Sequence, residues 1–327
     1  EQLFEVGEPD MLFINDGNNK WSPANVPELF KDRDGKGLDE LPRGWGLSVQ
    51  FRDINGDQWP DIYVSNDYET VDDIWINQEG VFSPIDPLAI RHGSNSSMSI
   101  DFTDLNKDGD LDFFVSEMLS TTHTRRKTQM GVMTATPVSI GVYDDFPQYM
   151  RNNLYLNRGD GTYTEIARYS NVSSSEWSWS SIFQDIDLDG DDDLLVTTGH
   201  MYDFMDSDTK IRLDKLPISS LQEMKETRFM FPPLDLKNLV FENKGNLHFD
   251  LIGNYGDFGI EEDVSHGMAL ADLDNDGDQD VVINRLNKKA QIFENQIAEP
   301  RIAIRLIGDD LNSDAVGSEI IVKSQDH

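Results

Sequence analysis

The sequence predicts an all-β chain built from a repeated antiparallel unit. Three observations carry that prediction: an aspartate-rich segment recurs four times, a short β-branched or aromatic run follows each copy, and a further short run ending in asparagine comes later in each unit. The segments read DINGDQWPD (53–61), DLNKDGDLD (104–112), DIDLDGDDD (185–193) and DLDNDGDQD (272–280). Each has Asp at its first, fifth and ninth positions and Asp or Asn at its third; the last three also have Gly at the sixth.

The runs after the segments are IYVS, FFVS, LLVT and VVIN, residue types that favour strands. Before the segments lie GWGLSVQF, SSMSIDF, WSWSSIFQ and HGMALA, strands containing small residues. Next come IWIN, LYLN, VFEN and IFEN, ending at Asn77, Asn157, Asn243 and Asn295. The turns QEG, RGDG and KGN then lead to VFSPI, TYTEI and HFDLI. The unit is therefore four antiparallel strands, A to D, with the acidic loop joining A to B. MLFIN, ending at Asn15, and NKWSPA place the start of the sequence inside the same pattern, giving four complete units plus a half. Four-stranded units at roughly 40–50 residue spacing predict a β-propeller, placed here over residues 1–300.

The connection from B to C is short in the first and fourth units. In the second and third it is longer by about 30 and 35 residues, which predicts two mainly helical or irregular insertions, about 117–152 and 199–238. Both enter at the same connection, so they are expected to be neighbours on one face. Long ordered loops are usually functional, which makes that face the expected partner surface.

The chain carries 61 acids against 27 bases, a formal charge of −34. Nucleic acid and anionic membrane surfaces are excluded as main partners by repulsion. No run of about 18 apolar residues is present, so no membrane insertion by a helix is expected. The absence of cysteine excludes disulfides, thiolate metal sites and a Cys nucleophile. The sequence opens on Glu1 with no basic-then-apolar leader, which reads as a removed leader or a piece of a longer chain.

Two like charges about 5 Å apart repel by about 3 kcal/mol at an effective dielectric near 20, so such loops call for a counter-ion. Alternating hard oxygen donors with a glycine turn suit Ca²⁺, about four ions in all. An EF-hand is excluded, because its twelfth position needs a bidentate Glu and here holds Val64, Val115, Val196 and Ile283. The expected side-chain ligands are Asp53, Asn55, Asp57 and Asp61; Asp104, Asn106, Asp108 and Asp112; Asp185, Asp187, Asp189 and Asp193; and Asp272, Asp274, Asp276 and Asp280. Trp59, Asp110, Asp191 and Asp278 are expected to bind through their backbone carbonyls.

These blades resemble the FG-GAP and VCBS repeat families, whose calcium-loop blade is shared with integrin α-subunit heads. LYLNRGDGTYTEIA and SEWSWSSIFQDIDLDGDDDLLV further resemble repeats of the ASPIC/UnbV (cartilage acidic protein-like) family. The tail RIAIRLIGDDLNSDAVGSEIIV resembles the opening of the ASPIC/UnbV domain; alternatively, residues 301–327 supply ring-closing strands against the N-terminal half unit. The resemblance implies calcium-stabilised architecture, the same loop residues as ligands, and a secreted, cell-surface or periplasmic interaction and adhesion module. It also implies about seven blades, more than are counted here. Loop 1 departs from the pattern at Gly56-Asp57-Gln58, so its turn is expected to differ.

The expected partner is a protein or a glycan, with self-assembly into a surface layer or fibre as a further reading. A calcium-dependent polysaccharide lyase or hydrolase on the same scaffold is the enzymatic alternative, although no catalytic residue is singled out and a non-enzyme is favoured. Several secondary features carry two readings each. The basic run His123–Lys127 either grips an acidic glycan or pairs with the protein's own acids. Trp45 and Trp177 either line a sugar site or pack between blades. Met224, Phe229, Met230 and Phe231 form either a docking patch or a packed cover, and Ser219 or Ser220 caps a short helix running through Lys225.

Overall fold

The computed structural model describes residues 7–67, 70–129, 146–218 and 220–300, together with 302, 304–308, 312–318 and 320–322. The chain opens with a hairpin of β1 (Phe13–Asn15) and β2 (Trp21–Pro23), followed by α1 (Val26–Leu29). The first full sheet is β3 (Trp45–Arg52), β4 (Asp61–Asp67), β5 (Asp73–Gln78) and β6 (Val81–Pro84). A short β7 (Gly93–Ser94) leads to β8 (Ser99–Thr103), β9 (Asp112–Ser116) and α2 (His123–Gln129). Next come β10 (Gln148–Tyr149), β11 (Asn153–Asn157), β12 (Tyr163–Glu165), β13 (Ser178–Gln184) and β14 (Asp193–Thr198). The second insertion holds α3 (Ser207–Leu213), α4 (Leu221–Glu226) and β15 (Leu236–Lys237). The chain continues through β16 (Leu239–Asn243), β17 (Phe249–Ile252), β18 (Glu262–Asp263), β19 (Ser265–Ala271), β20 (Asp280–Arg285) and β21 (Gln291–Phe293).

Four antiparallel blades result, in the orders β3-β4-β5-β6, β8-β9-β11-β12, β13-β14-β16-β17 and β19-β20-β21. The fourth differs from the complete unit expected: it has three strands among the described residues. VFSPI, TYTEI and HFDLI supply the outer strand of the first three blades, and no such run follows IFEN within the described strands. The half unit at the start is the two-stranded β1–β2 hairpin. The inner strands neighbour one another in chain order, β3 to β8 to β13 to β19. Among the described residues no helix is long and apolar enough to cross a membrane.

The core consists of layers between blades, and this explains the unbroken apolar runs of the second strands. A strand buried on both faces needs apolar residues at every position rather than alternation. In β9, Phe113 and Val115 pack toward the first blade with Tyr63 and Ile74, while Phe114 packs toward the third with Phe183 and Leu194. In β14, Leu194 and Val196 face the second blade, and Leu195 joins Val281 and Ile283 of the fourth. The small residues of the inner strands allow hydroxyl contacts near the axis: Ser99 Oγ lies 2.7 Å from both Ser116 Oγ and Ser181 Oγ. On the N-terminal side of the first blade, Phe30, Leu41, Ile62, Trp75 and Phe82 cluster, while Leu47, Val49 and Phe51 of β3 remain exposed.

At the end of the second strand away from the acidic loops, a second fastening recurs in the first three blades. The backbone N–H groups of Asn66, Glu117 and Thr198 donate to the side chains of Asp72, Asn152 and Asn238 (2.8, 2.8 and 3.0 Å). Asp72 also accepts from Tyr63 Oη and Ser97 Oγ, each at 2.8 Å, yet burial outweighs these bonds and pushes its carboxyl up to about 7. The sign follows from linkage. Below about pH 4 the group is protonated in both states. Between about pH 4 and 7 the unfolded chain ionises and the folded chain does not, so Asp72 removes stability, on the order of a few kcal/mol. Asp72→Asn is expected to flatten the fall in melting temperature across that window, because the amide still serves the same neighbours. Equal pH slopes for wild type and variant would contradict this.

The two insertions meet, as their shared entry point predicts. Gln129 Nε2 contacts Met205 Sδ at 3.2 Å, the Ser207 hydroxyl bonds the Thr128 carbonyl, and α2 packs beside α3. Ser220 caps α4 in a reciprocal capping box with Glu223.

Candidate functional site

The four acidic loops share one hydrogen-bonded scaffold. The first-position aspartate accepts backbone N–H groups from positions five and six. For Asp104 these come from Asp108 (3.0 Å) and Gly109 (2.9 Å), and for Asp185 from Asp189 and Gly190 (both 3.0 Å). Asp272 does the same with Asp276 and Gly277, and Asp53 with Asp57 and Gln58. The third-position side chain accepts from the fifth N–H, and the fifth from the seventh, in every loop. The chain thereby curls around a point toward which the side chains of positions one, three and five converge.

This curl requires left-handed backbone at positions four and six. Gly109, Gly190 and Gly277 meet the second requirement at φ 95–97°. Loop 1 makes the same turn with Gly56 at position four and Gln58 at position six, the latter at φ 71°. The expected difference in the loop 1 turn is therefore not found: the path is conserved, and Gln58 carries a conformation that favours glycine.

Loops 3 and 4 bring three carboxylates together. Oxygens of Asp185, Asp187 and Asp189 lie within 4.8 Å of one another, as do those of Asp272, Asp274 and Asp276. Burial first, then the neighbouring carboxylates, raise the pKa values of Asp185 and Asp187 despite backbone hydrogen bonds. In loops 1 and 2 asparagine stands at position three, and its amide donates across the loop: Asn55 Nδ2 to Asp57 (3.0 Å) and Asn106 Nδ2 to Asp108 (2.7 Å). There the positive end of the amide dipole faces the neighbouring carboxylate.

The ninth-position aspartates are the most constrained members. Asp61, Asp112, Asp193 and Asp280 are buried. One oxygen of each accepts the N–H of the second loop residue: Ile54 (2.7 Å), Leu105 (2.9 Å), Ile186 (3.4 Å) and Leu273 (2.8 Å). The other accepts the N–H of the asparagine late in the unit: Asn77 (2.7 Å), Asn157 (2.8 Å), Asn243 (2.7 Å) and Asn295 (2.9 Å). Desolvation pushes Asp112 and Asp193 up to about 7 and Asp61 up to about 6. These aspartates join loop, second strand and third strand, and each oxygen retains a further lone pair.

The asparagines themselves are a part of the site that the residue pattern displayed without revealing its role. Asn77, Asn157 and Asn243 return an amide hydrogen bond to the carbonyl of the eighth loop residue, Pro60, Leu111 and Asp192. Asn295 instead donates to the Ile186 carbonyl in the neighbouring blade's loop. Of the seventh-position residues, Asp191 pairs with Lys107 of loop 2 at 2.7 Å, joining adjacent loops along one rim. The Trp59 ring is partly exposed, and Asp110 and Asp278 occupy the matching positions of their loops.

The secondary features resolve differently. Arg125 pairs with Glu176 (3.0 Å) and Asp203 (3.5 Å), and Arg126 bonds the Ser120 carbonyl and Ser174 Oγ. The basic run therefore serves to dock the first insertion. Trp177 is buried and stacks on His200 at 4.3 Å, so it packs rather than lining an open site, whereas Trp45 is half exposed. Phe231 packs on Phe204, but Met224, Phe229 and Met230 stay exposed. Ser219 lies outside the described residues.

The FG-GAP-like repeat family matches residues 53–115 and 140–196, spans that contain the first three acidic loops and the last third of the first insertion. No curated protein matches the chain. Two spans of the chain are thus similar to FG-GAP-like repeats, and the described strands form four antiparallel blades in a propeller arrangement.

Proposed function

We propose that this chain is a calcium-binding propeller that works outside the cytosol as an interaction and adhesion module. An FG-GAP-like propeller supports an interaction module in general, and FG-GAP-like repeats often bind Ca²⁺. The observation that carries the calcium reading is the convergence of three carboxylates in Asp185–Asp189 and again in Asp272–Asp276, on a scaffold that all four loops share. In each loop the side chains at positions one, three, five and nine and the carbonyl at position seven would hold the ion. Ca²⁺ would supply the positive charge that the clustered carboxylates lack.

The loops are not equivalent in charge. Loops 3 and 4 offer four carboxylates each, and loops 1 and 2 offer three plus an amide. Calcium affinity rises with ligand charge. Loops 3 and 4 would therefore fill first, and loops 1 and 2 only after Asn55 and Asn106 release their intraloop hydrogen bonds. Extracellular calcium modules bind at about 10⁻⁴–10⁻³ M, which favours occupancy outside cells and argues for a secreted, cell-surface or periplasmic location. The face bearing the joined insertions, with exposed Phe229 and Met224, would receive the protein or glycan partner.

Equilibrium dialysis against radioactive calcium tests the ligand set. About four rim ions per chain are expected at millimolar free Ca²⁺, in two affinity classes, and Asp185→Ala should remove one of the tighter class. No uptake, or an unchanged count in Asp185→Ala, would overturn the reading.

A further inference from the structure

A second cluster of oxygen donors lies between the first two blades, at the opposite end of their second strands from the acidic loops. From Asp61 to Asp67 the strand β4 advances six residues, about 20 Å, so the cluster is well separated from the rim. Three layers define it. Tyr63 of β4 stacks edge-on against Phe113 of β9 at 5.5 Å. Two residues further along each strand, on the same faces, come Ser65 and Val115. Two further again come Asp67 and Glu117, whose charges act on one another. Asn153 sits directly opposite Val115 in the β9–β11 ladder, which puts its side chain on this face and diagonal to Glu117. Ser94 approaches from β7, held by Gln148 Nε2, which bonds the Ser94 and Thr70 carbonyls.

Four of these residues carry buried polar atoms without a hydrogen bond. Ser65, Glu117 and Asn153 are each 0% exposed and Ser94 is 4% exposed. Ser65 Oγ, Ser94 Oγ, Glu117 Oε2 and both polar atoms of the Asn153 amide have no hydrogen bond. Glu117 Oε1 takes the Met118 N–H at 2.8 Å, and the Arg151 N–H, which bonds the Tyr149 carbonyl at 2.8 Å, also acts on the Glu117 carboxyl. The Arg151 guanidinium is engaged with Glu165 and His92, so it does not neutralise Glu117. Leaving buried polar atoms without partners is costly. These side chains lie on the facing sides of the first two blades, and their oxygens of carboxylate, amide and hydroxyl are the set a hard cation takes.

We propose that Glu117, Asn153, Ser65, Ser94 and Asp67 form an interblade site for one divalent, oxygen-seeking cation, distinct from the rim loops. Such an ion would satisfy Glu117 Oε2 and the hydroxyls together, and would tie the second blade to the first at the end that the rim ions do not reach.

The test counts calcium bound by the full chain after chelator stripping, in wild type, Glu117→Gln, Asp185→Ala and the double variant. Glu117→Gln keeps the side chain's size and should bind one ion fewer than wild type, and the double variant two fewer. Ser65→Ala removes only an unpartnered hydroxyl and should weaken the same ion about tenfold while leaving the rim ions unchanged. If Glu117→Gln and Ser65→Ala match wild type while Asp185→Ala still loses an ion, the interblade site is overturned and the rim reading stands. If Asp185→Ala alone retains the full count, the rim reading fails independently.

Discussion

Replacing Asp112 with alanine is expected to destabilise the fold by about 2–6 kcal/mol. The side chain is fully buried, and its two oxygens accept the backbone N–H groups of Leu105 and Asn157 at 2.9 and 2.8 Å. Alanine leaves both donors buried and unpartnered, at about 1–3 kcal/mol each. Removing the carboxylate also relieves the desolvation that holds its pKa near 7, so the loss should fall short of the sum of a broken network and a lost ion. Against a typical domain stability of about 5–15 kcal/mol the effect is large. Urea unfolding in excess chelator isolates the hydrogen-bonding role. A change below about 0.5 kcal/mol would mean that the ninth-position aspartates do not fasten the blades.

The second large effect is expected from Phe113→Ala, at about 3–5 kcal/mol. Phe113 is fully buried, with ring centroids of Tyr155, Tyr163, Phe102 and Tyr63 at 4.6, 5.2, 5.4 and 5.5 Å. Tyr63 belongs to the first blade and the other three to the second, so the cavity would open at the blade junction. Phe229→Ala, on the exposed face of the second insertion, should change stability by less than about 0.5 kcal/mol in the same assay. Equal losses for the two variants would contradict the placement of the core between blades.

The parts of this molecule that were legible in the sequence are those fixed by local spacing. Aspartates at positions one, five and nine with Asp or Asn at three dictate a curled loop, and the runs FFV, LLV and VVI dictate strands buried on both faces. The shared B-to-C entry of both insertions placed them together, and Ser220 signalled the start of α4. What escaped depends on contacts distant in sequence. The turn of loop 1 survives because Gln58 accepts a left-handed backbone, which residue type alone argues against. The strand-C asparagines bind across the blade to loops 15–50 residues earlier, from Asp280–Asn295 to Asp193–Asn243, and no local rule assigns them that role. Arg125 pairs with the protein's own acids, one of the two readings of the basic run, but spacing alone does not name its partners Glu176 and Asp203. Glu117 follows a strand, and only the packing of two blades shows that it is buried.

Thermal unfolding in millimolar Ca²⁺ against excess chelator tests the central claim most directly. A site held tenfold above its dissociation constant adds about 1.4 kcal/mol, so four rim ions add about 5–6 kcal/mol to the folded state. The account predicts a rise in melting temperature on the order of 10 °C with calcium, reversed by chelation. Coincident unfolding curves in the two conditions would contradict calcium-locked blades, and with them the ligand set and the extracytosolic location.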